Sequence, residues 1–583
     1  MVASSKSDKT MCNRQKLVGF KRAAHRKQHG VFKIPLNGNG KTNLYWTIDY
    51  HKKLLHFEVH LPLPRISWFA IGFSDYGALN PADFCILWTD WKKRVHFEDA
   101  WTSENGRISV DESQDCTDFH YVTRGEMVKF GFYRKFTTCD PKDYEIEDGT
   151  IHIVWARGEG PLFKLEGVNI SSAQQSGFER TQLLKNINAK ESHPSDTWTL
   201  EILAHNVKVP GVETTYWCHV HELPRDLIKK HHIIQYEPVI QKGNEHLVHH
   251  MEVFQCVTGV NDTIPKYVGS CFADDRPDKT KVCKRVIAAW AMGAQAFSYP
   301  EEAGLPIGGP DYNRFVMLEV HYNNPELKAD WVDSSGIRFY LTPSLRKYDG
   351  GVMELGLEYT DKMAIPPGQE RFQLSGYCIT ECTAIGLPER GIVVFGSQLH
   401  THLLGTQVYT KHIRNGVELA ELNRDNKYST HFQEIRRLKR LVRVLPGDAL
   451  ITTCTFKSSN KENVTLGGFS ITDEMCVNYI HYYPKTNLEV CKSSVSYGNL
   501  FDYFDYLQSY ENQNTDSEKA ISENYNEIEW TPLRVEVLND LYTNGRISMQ
   551  CNQSSGERFP GDWEDMTTTK ILRPLKVRKP CGN

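Results

Sequence analysis

The chain has 583 residues, 40% hydrophobic and 11% aromatic, which is too long for one domain and suggests three or four with real cores. A formal net charge of −4 gives no electrostatic case for binding nucleic acid. No run of about twenty apolar residues occurs, so no stretch reads as a membrane span.

Residues 1–30 hold eight Lys or Arg against one Asp and no apolar stretch, which reads as a basic disordered leader without a signal peptide. The remainder points to a different compartment. Fifteen cysteines, with sequons at Asn169, Asn261, Asn463 and Asn552 as candidate glycosylation sites, favour an oxidising secretory lumen. An alternative or misassigned first segment on a secretory protein reconciles the two.

From Tyr45 to about Trp155, short alternating runs such as LLHFEVHL, WFAIGFS, FCILWTD and IHIVWA are broken by turns. They predict a β-sandwich of eight to ten strands. Cys85 sits in one of these apolar runs and reads as a buried thiol. Residues 166–200 are polar and weakly periodic, as a linker is. β-rich segments recur from about 200 to 345 and from 346 to 500, with Pro-Gly turns at 210–211, 367–368 and 446–447. Residues 505–528 are acidic and polar and read as a loop. Leu533 to Tyr542 reads as a short helix.

Two groups of side chains carry chemistry. In Phe395-Gly-Ser-Gln-Leu-His-Thr-His-Leu-Leu-Gly405, His400 and His402 lie two residues apart. On a strand, alternate side chains share a face, so both rings can point at one ion. Alone, such a pair is more often found without metal. Met475, in DEMCVNY, adds a soft thioether that suits Cu(I) and few other ions. The second group is His249-His250 in HHMEVFQC, joined by His321 in LEVHY. Neighbouring residues on a strand point to opposite faces, so one ion can meet both rings only near the strand edge. Three imidazoles suit copper or zinc. His231-His232, after two lysines, reads as a surface pair.

These motifs, together with TTYWC at 214–218, AAWAMGAQAFSYPEEAGL at 288–305, HFQEIR at 431–436 and VNYIHYYP at 477–484, resemble the copper type II, ascorbate-dependent monooxygenase family. The resemblance runs from about residue 40 to the C-terminus. It implies a mainly β fold: a DOMON β-sandwich over residues 31–165, a linker over 166–200, packed β-sandwich copper domains over 201–345 and 346–504, and a C-terminal extension over 505–583. It also implies two copper ions per chain. His249, His250 and His321 would hold the electron-transfer copper, and His400, His402 and Met475 the O₂-binding copper. Ascorbate would be the electron donor and O₂ the co-substrate.

Further site residues follow from the same resemblance. Tyr216 matches an active-site tyrosine, an aromatic packed beside Cys218 being the alternative, and His400 matches a residue with an active-site role as well as ligation. Asp83 and Asp115 fall where a DOMON domain can hold a structural cation; solvated turn carboxylates are the alternative. The implied disulfides are Cys139–Cys581, Cys218–Cys271, Cys256–Cys283, Cys378–Cys491, Cys382–Cys551 and Cys454–Cys476, leaving Cys12, Cys85 and Cys116 over.

The substrate branch it implies hydroxylates the benzylic carbon of dopamine or a related phenethylamine, in the lumen of a secretory or chromaffin-type vesicle and after secretion. Peptide-amidating members place an Arg and an Asn where this chain has Gln398 and Val477, which argues against a peptide. A copper-binding protein without turnover would be marked by a lost ligand, and all six are present. Residues 492–550 contain no cysteine, where mammalian members carry intersubunit cysteines. A non-covalent homodimer or tetramer is therefore expected before a covalent one.

Overall fold

The computed structural model describes residues 30–37, 40–63, 67–186, 193–292, 294–324, 326–470, 472–576 and 581. The basic leader and Cys12 lie outside them. The strand Leu54–Pro62 alternates half-buried with buried positions, sending Leu55, Phe57, Val59 and Leu61 inward. It is central in a five-stranded antiparallel sheet with Phe32–Pro35, Asn43–Asp49, Met127–Lys135 and Thr117–Arg124. Across the core lies a six-stranded sheet built on Ile151–Glu159, Ser67–Ser74 and Ala82–Thr89. Ser67–Ser74 and Ala82–Thr89 are buried along their whole length. Their second face is covered by a smaller core around Leu165 and Ile170, which explains their unbroken apolar runs.

Two expectations change here. The stretch read as linker contains the strand Gln175–Thr181, which pairs with Ile151–Glu159 and extends the sandwich to eleven strands. Cys85 is no free thiol. It is bonded to Cys116, with the two Cα atoms 6.0 Å apart.

A second pair of sheets follows. One contains Trp198–Leu203, Gly336–Thr342, His231–Val239 and Ala303–Ile307; the other runs Val268–Ser270, Thr214–Glu222, Phe315–Asn323, Val248–Cys256, Cys283–Ala291. His231 and His232, expected at the surface, are buried in the first of these. His232 Nε2 meets Asp349 at 2.8 Å and its Nδ1 accepts from the Arg346 N–H at 3.0 Å. That pair is structural, and burial of the strand on both faces explains why consecutive histidines are both inside.

The third sandwich sets Arg436–Val444, Ile392–His400, Val477–Tyr483, Gly351–Leu357, Leu488–Val495 and Ile547–Gln553 against Phe372–Cys378, Asp448–Phe456 and Gly405–Arg414. Phe395 and Tyr483 from this unit belong to the core of the second, so the two share one apolar interior. The segment read as a loop is largely helical. Tyr497–Glu511, capped by the Ser496 hydroxyl, buries Leu500, Tyr503, Phe504 and Leu507 at helical spacing, and Ile521–Glu527 follows. The expected last helix is Pro532–Asn544, with Thr531 as its cap. The C-terminal extension also supplies the edge strand Ile547–Gln553.

Six further disulfides join Cys139–Cys581, Cys218–Cys271, Cys256–Cys283, Cys378–Cys491, Cys382–Cys551 and Cys454–Cys476. Asn169, Asn261 and Asn463 are exposed, whereas Asn552 is half-buried within the edge strand. Among the described residues, no helix is long and apolar enough to cross a membrane.

The N-terminal sandwich docks on the third through a buried ion pair. Asp425, fully buried, accepts from the Thr150 N–H at 3.0 Å and hydroxyl at 2.6 Å, and from Arg436 Nη1 at 2.8 Å. Arg436 Nη2 also donates to the Thr150 hydroxyl at 2.8 Å. Replacing Asp425 by Asn takes away the nearer of the guanidinium's two buried counter-charges, leaving only Glu434 at 3.4 Å. The expected cost is about 3 kcal/mol, read as a lower Tm together with faster proteolysis between the N-terminal sandwich and the rest. An unchanged melting curve for D425N would show the contact to be incidental.

Candidate metal centres

The first centre is built by a strand irregularity. In Val248–Cys256, pairing with Phe315–Asn323 shifts between Val248 and His250, so that Val248 faces Tyr322 and His250 faces His321. The extra residue is His249. A bulge of this kind re-aims one side chain, and so two consecutive histidines reach one point. His250 Nδ1 lies 3.3 Å from His249 Nδ1 and 3.2 Å from His321 Nδ1. One ligand nitrogen from each of the three lies within 4.8 Å of the others.

Burial, then repulsion from neighbouring imidazoles, pushes His249 down to about 3 and His321 to about 4, and holds His250 well below its ordinary value. The rings are therefore neutral, with lone pairs free for a metal. Three converging neutral nitrogens fit a copper ion.

Tyr216 comes from the adjacent strand, Thr214–Glu222, in register with His321. Its ring stacks on His321 at 4.4 Å with planes 4° apart and meets the His250 ring at 5.8 Å. Burial, reinforced by Glu319 and Glu252, pushes the phenol up to about 12, so it keeps its proton. The sequence motif thus places Tyr216 at the nitrogen-only centre.

The second centre lies at the end of strand Ile392–His400. The strand stops at His400, and His402 lies beyond it, so the shared-face expectation gives way to two rings at 88° with centroids 5.3 Å apart. Each has one nitrogen fixed by a partner: His400 Nδ1 with Gln433 Oε1 at 2.6 Å, and His402 Nδ1 with the Asp473 carbonyl at 2.9 Å. With those nitrogens donating, both rings offer Nε2 to a metal.

Met475 is buried in the chain that enters Val477–Tyr483, the strand paired with His400. Glu474 clamps the two segments together. Its carboxylate accepts from the N–H groups of Leu404 at 2.6 Å, His402 at 3.0 Å and Met475 at 3.2 Å. Burial nonetheless raises Glu474 to about 7. Two imidazoles and a thioether fit copper in its reduced state.

The centres face one another across the second and third sandwiches. His431 of the third unit sets its ring edge-on to His249 at 5.3 Å. Gln398, two residues before His400, donates to the Gln433 carbonyl at 3.0 Å. Glu252 opposes Glu319 in register, and burial with this mutual repulsion pushes Glu252 up to about 8; burial takes Glu319 to about 7.

Sequence reasoning missed Glu252, Glu319, His431, Gln433 and Glu474. The two carboxyls were accessible by counting two residues along each strand from His250 and His321. Gln433 carried no local signal, because it lies 33 residues from the ring it orients.

The N-terminal carboxylates behave differently. Asp83 is buried, pairs with Arg134 and accepts from the Tyr144 N–H at 2.7 Å. Its acidic neighbours are Asp99 and Asp143. Asp115 lends Asp99 its backbone N–H at 2.8 Å, while its own carboxylate takes the Ser113 hydroxyl. The Arg134 guanidinium thus stands where a cation would be needed to neutralise Asp83.

Comparison with known proteins decides the family. The description "copper type II ascorbate-dependent monooxygenase" matches in its N-terminal domain over residues 200–329 and its C-terminal domain over 348–504, with a DOMON domain over 38–158. Human dopamine beta-hydroxylase is 46% identical over 551 residues, covering 94% of this chain and 88% of that protein. The chain belongs to the copper type II ascorbate-dependent monooxygenases. Tyramine beta-hydroxylase of Caenorhabditis briggsae is 38% identical, covering 91% of each protein. Human DBH-like monooxygenase protein 1 is 31% identical over 94% of this chain and 90% of its own length. As a member of this family the chain is a copper- and ascorbate-dependent enzyme.

Glu474 provides a direct test of the second centre. Glu474→Ala strips the acceptor from three N–H groups, each worth about 1–3 kcal/mol when left unpaired in the interior. Metal analysis of E474A should show the His400, His402, Met475 centre emptied and the three-histidine centre filled, with a lower Tm. Full copper content at both would mean the clamp is dispensable.

Proposed function

We propose that this chain is a dopamine beta-monooxygenase that binds two coppers. One oxygen atom of O₂ enters the benzylic C–H bond of dopamine to give noradrenaline. The other leaves as water with two protons, and two ascorbates each give up one electron. The observation that carries this reading is the pair of unlike donor sets, three imidazoles against two imidazoles and a thioether, facing each other across one interface.

Copper held by these residues supplies one-electron chemistry and the reduction of O₂. The rest of the work belongs to the chain. Gln433 and the Asp473 carbonyl keep His400 and His402 turned with Nε2 outward. Tyr216 fixes the plane of His321 by stacking, which makes it a positioning residue. Glu252 and Glu319 offer carboxyl groups beside Tyr216, a setting that favours an ammonium and disfavours a second carboxylate. Gln398 is not a cation. A peptide's terminal carboxylate would be buried unpaired here, at a cost of several kcal/mol.

Seven disulfides and three exposed sequons support folding and action in a secretory lumen, as for a vesicular enzyme of catecholamine synthesis. Assembly as a non-covalent homodimer or tetramer accords with the lack of cysteine between residues 492 and 550.

Copper-loaded protein with ascorbate and O₂ should convert dopamine and tyramine to β-hydroxylated amines, identified by mass spectrometry, and leave peptidylglycines untouched. Hydroxylated peptide without hydroxylated amine would overturn the substrate while leaving the family standing. Met475→Ile should abolish hydroxylation and leave about one copper per chain, on the three imidazoles. Full activity in M475I would show the sulfur to be packing only.

A further inference from the structure

Three histidines outside the two copper centres meet in the second sandwich. His219 and His221 lie two residues apart on Thr214–Glu222, so they share a face. Their register partners, Leu318 and Val316, belong to the core between the two sheets. Tyr216, of opposite parity on the same strand, points the other way and stacks on His321. The pair is therefore separated from the first copper centre by one sheet. The rings of His219 and His221 have centroids 3.8 Å apart, and His205 sets its ring 5.8 Å from the first and 6.0 Å from the second. At the first copper centre the corresponding separations are 5.5, 4.8 and 4.7 Å.

His205 comes from the facing sheet, just after Trp198–Leu203. Its flanking residues are tied down. The Ala204 N–H donates to the Ser335 carbonyl at 2.8 Å, and the Asn206 N–H to the Ser334 hydroxyl at 3.0 Å. The backbone is fixed while the His205 side chain is exposed, so its ring can turn toward the other two. The strand pair has donors to offer. His219 Nδ1 and His221 Nε2 are shut off from solvent and have no hydrogen-bond partner among the described residues. Buried polar atoms are nearly always partnered, and one metal ion satisfies two such nitrogens at once. Burial, then repulsion from His219 and His205, pushes His221 down to about 3, and burial lowers His219 as well. Both rings are neutral at neutral pH, as ligation requires.

We propose that His205, His219 and His221 form a third metal site, for a divalent ion that prefers imidazole, zinc or cupric copper. The ion joins one ligand from one sheet to two from the other, and so clamps the sandwich on the back of the strand that presents Tyr216. One of its ligands is exposed, so this ion exchanges with solvent more readily than metal in either copper centre.

The test measures uptake directly. Copper-loaded enzyme, passed over a chelating resin to strip weakly held metal, is dialysed against micromolar zinc. Wild type should take up one zinc per chain, gain in Tm and keep its copper, since copper outcompetes zinc for nitrogen ligands. H205Q and H219Q/H221Q should each bind zinc at least about tenfold more weakly, since altering even a residue behind a ligand costs about that much, and should lose the gain in Tm. Replacing an exposed histidine of the N-terminal sandwich, His51→Gln, should change neither. Cupric ion offered instead should fill the same site and be lost in the same variants; uptake of zinc alone would assign the occupant as zinc. H205Q alters only an exposed side chain, so it decides the matter even if the strand variant fails to fold. No zinc uptake by wild type, zinc matched by loss of copper, or uptake undiminished in H205Q would overturn the site.

Discussion

A guanidinium in a protein interface has to meet a negative charge, because desolvation costs several kcal/mol that only a well-placed partner repays. Arg436 meets Asp425 in this way, and Thr150 completes the arrangement from the N-terminal sandwich. The rest of the frame depends on that contact through the short segment leading into it. Within six residues His431 reaches the ring of His249, Gln433 orients His400, and Arg436 docks the first sandwich. One stretch of chain therefore touches all three units and both metal centres.

The two centres reach unlike donor sets by unlike backbone devices. At the first, a bulge brings consecutive histidines to one point and burial keeps them neutral. At the second, the strand has already ended, and a buried carboxylate holding three N–H groups fixes the ligand segments instead. Preorganisation of this kind matters for an ion that changes preferred geometry with oxidation state, since the ligands cannot follow it far.

Much of this was legible in the sequence. The alternation in Leu54–Leu61 predicts a half-buried strand, and it forms one. The two histidine groups and Met475 stand out because their donor types mean little singly and match as a set. What was illegible was non-local or depended on which polar residues pack inward. The helix Tyr497–Glu511 was hidden because half of its buried face is aromatic, Tyr503 and Phe504, amid acids and few aliphatics. His231 and His232 follow two lysines, yet their strand is covered on both faces. No spacing rule leads from His400 to Gln433 or from Asp425 to Thr150.

The disulfide between Cys139 and Cys581 has a consequence for how the molecule is made. It spans 442 residues, and at ribosomal rates of about 5–20 residues per second its second cysteine emerges roughly 20–90 s after its first. The other half-cystines of the N-terminal sandwich, Cys85 and Cys116, are only 31 residues apart and can pair while translation continues. Throughout that interval Cys139 is an orphan thiol on a nearly finished domain, available to oxidoreductases and to wrong partners. Closing the molecule therefore waits for Cys581, and a nascent protein truncated before it advertises its incompleteness to quality control.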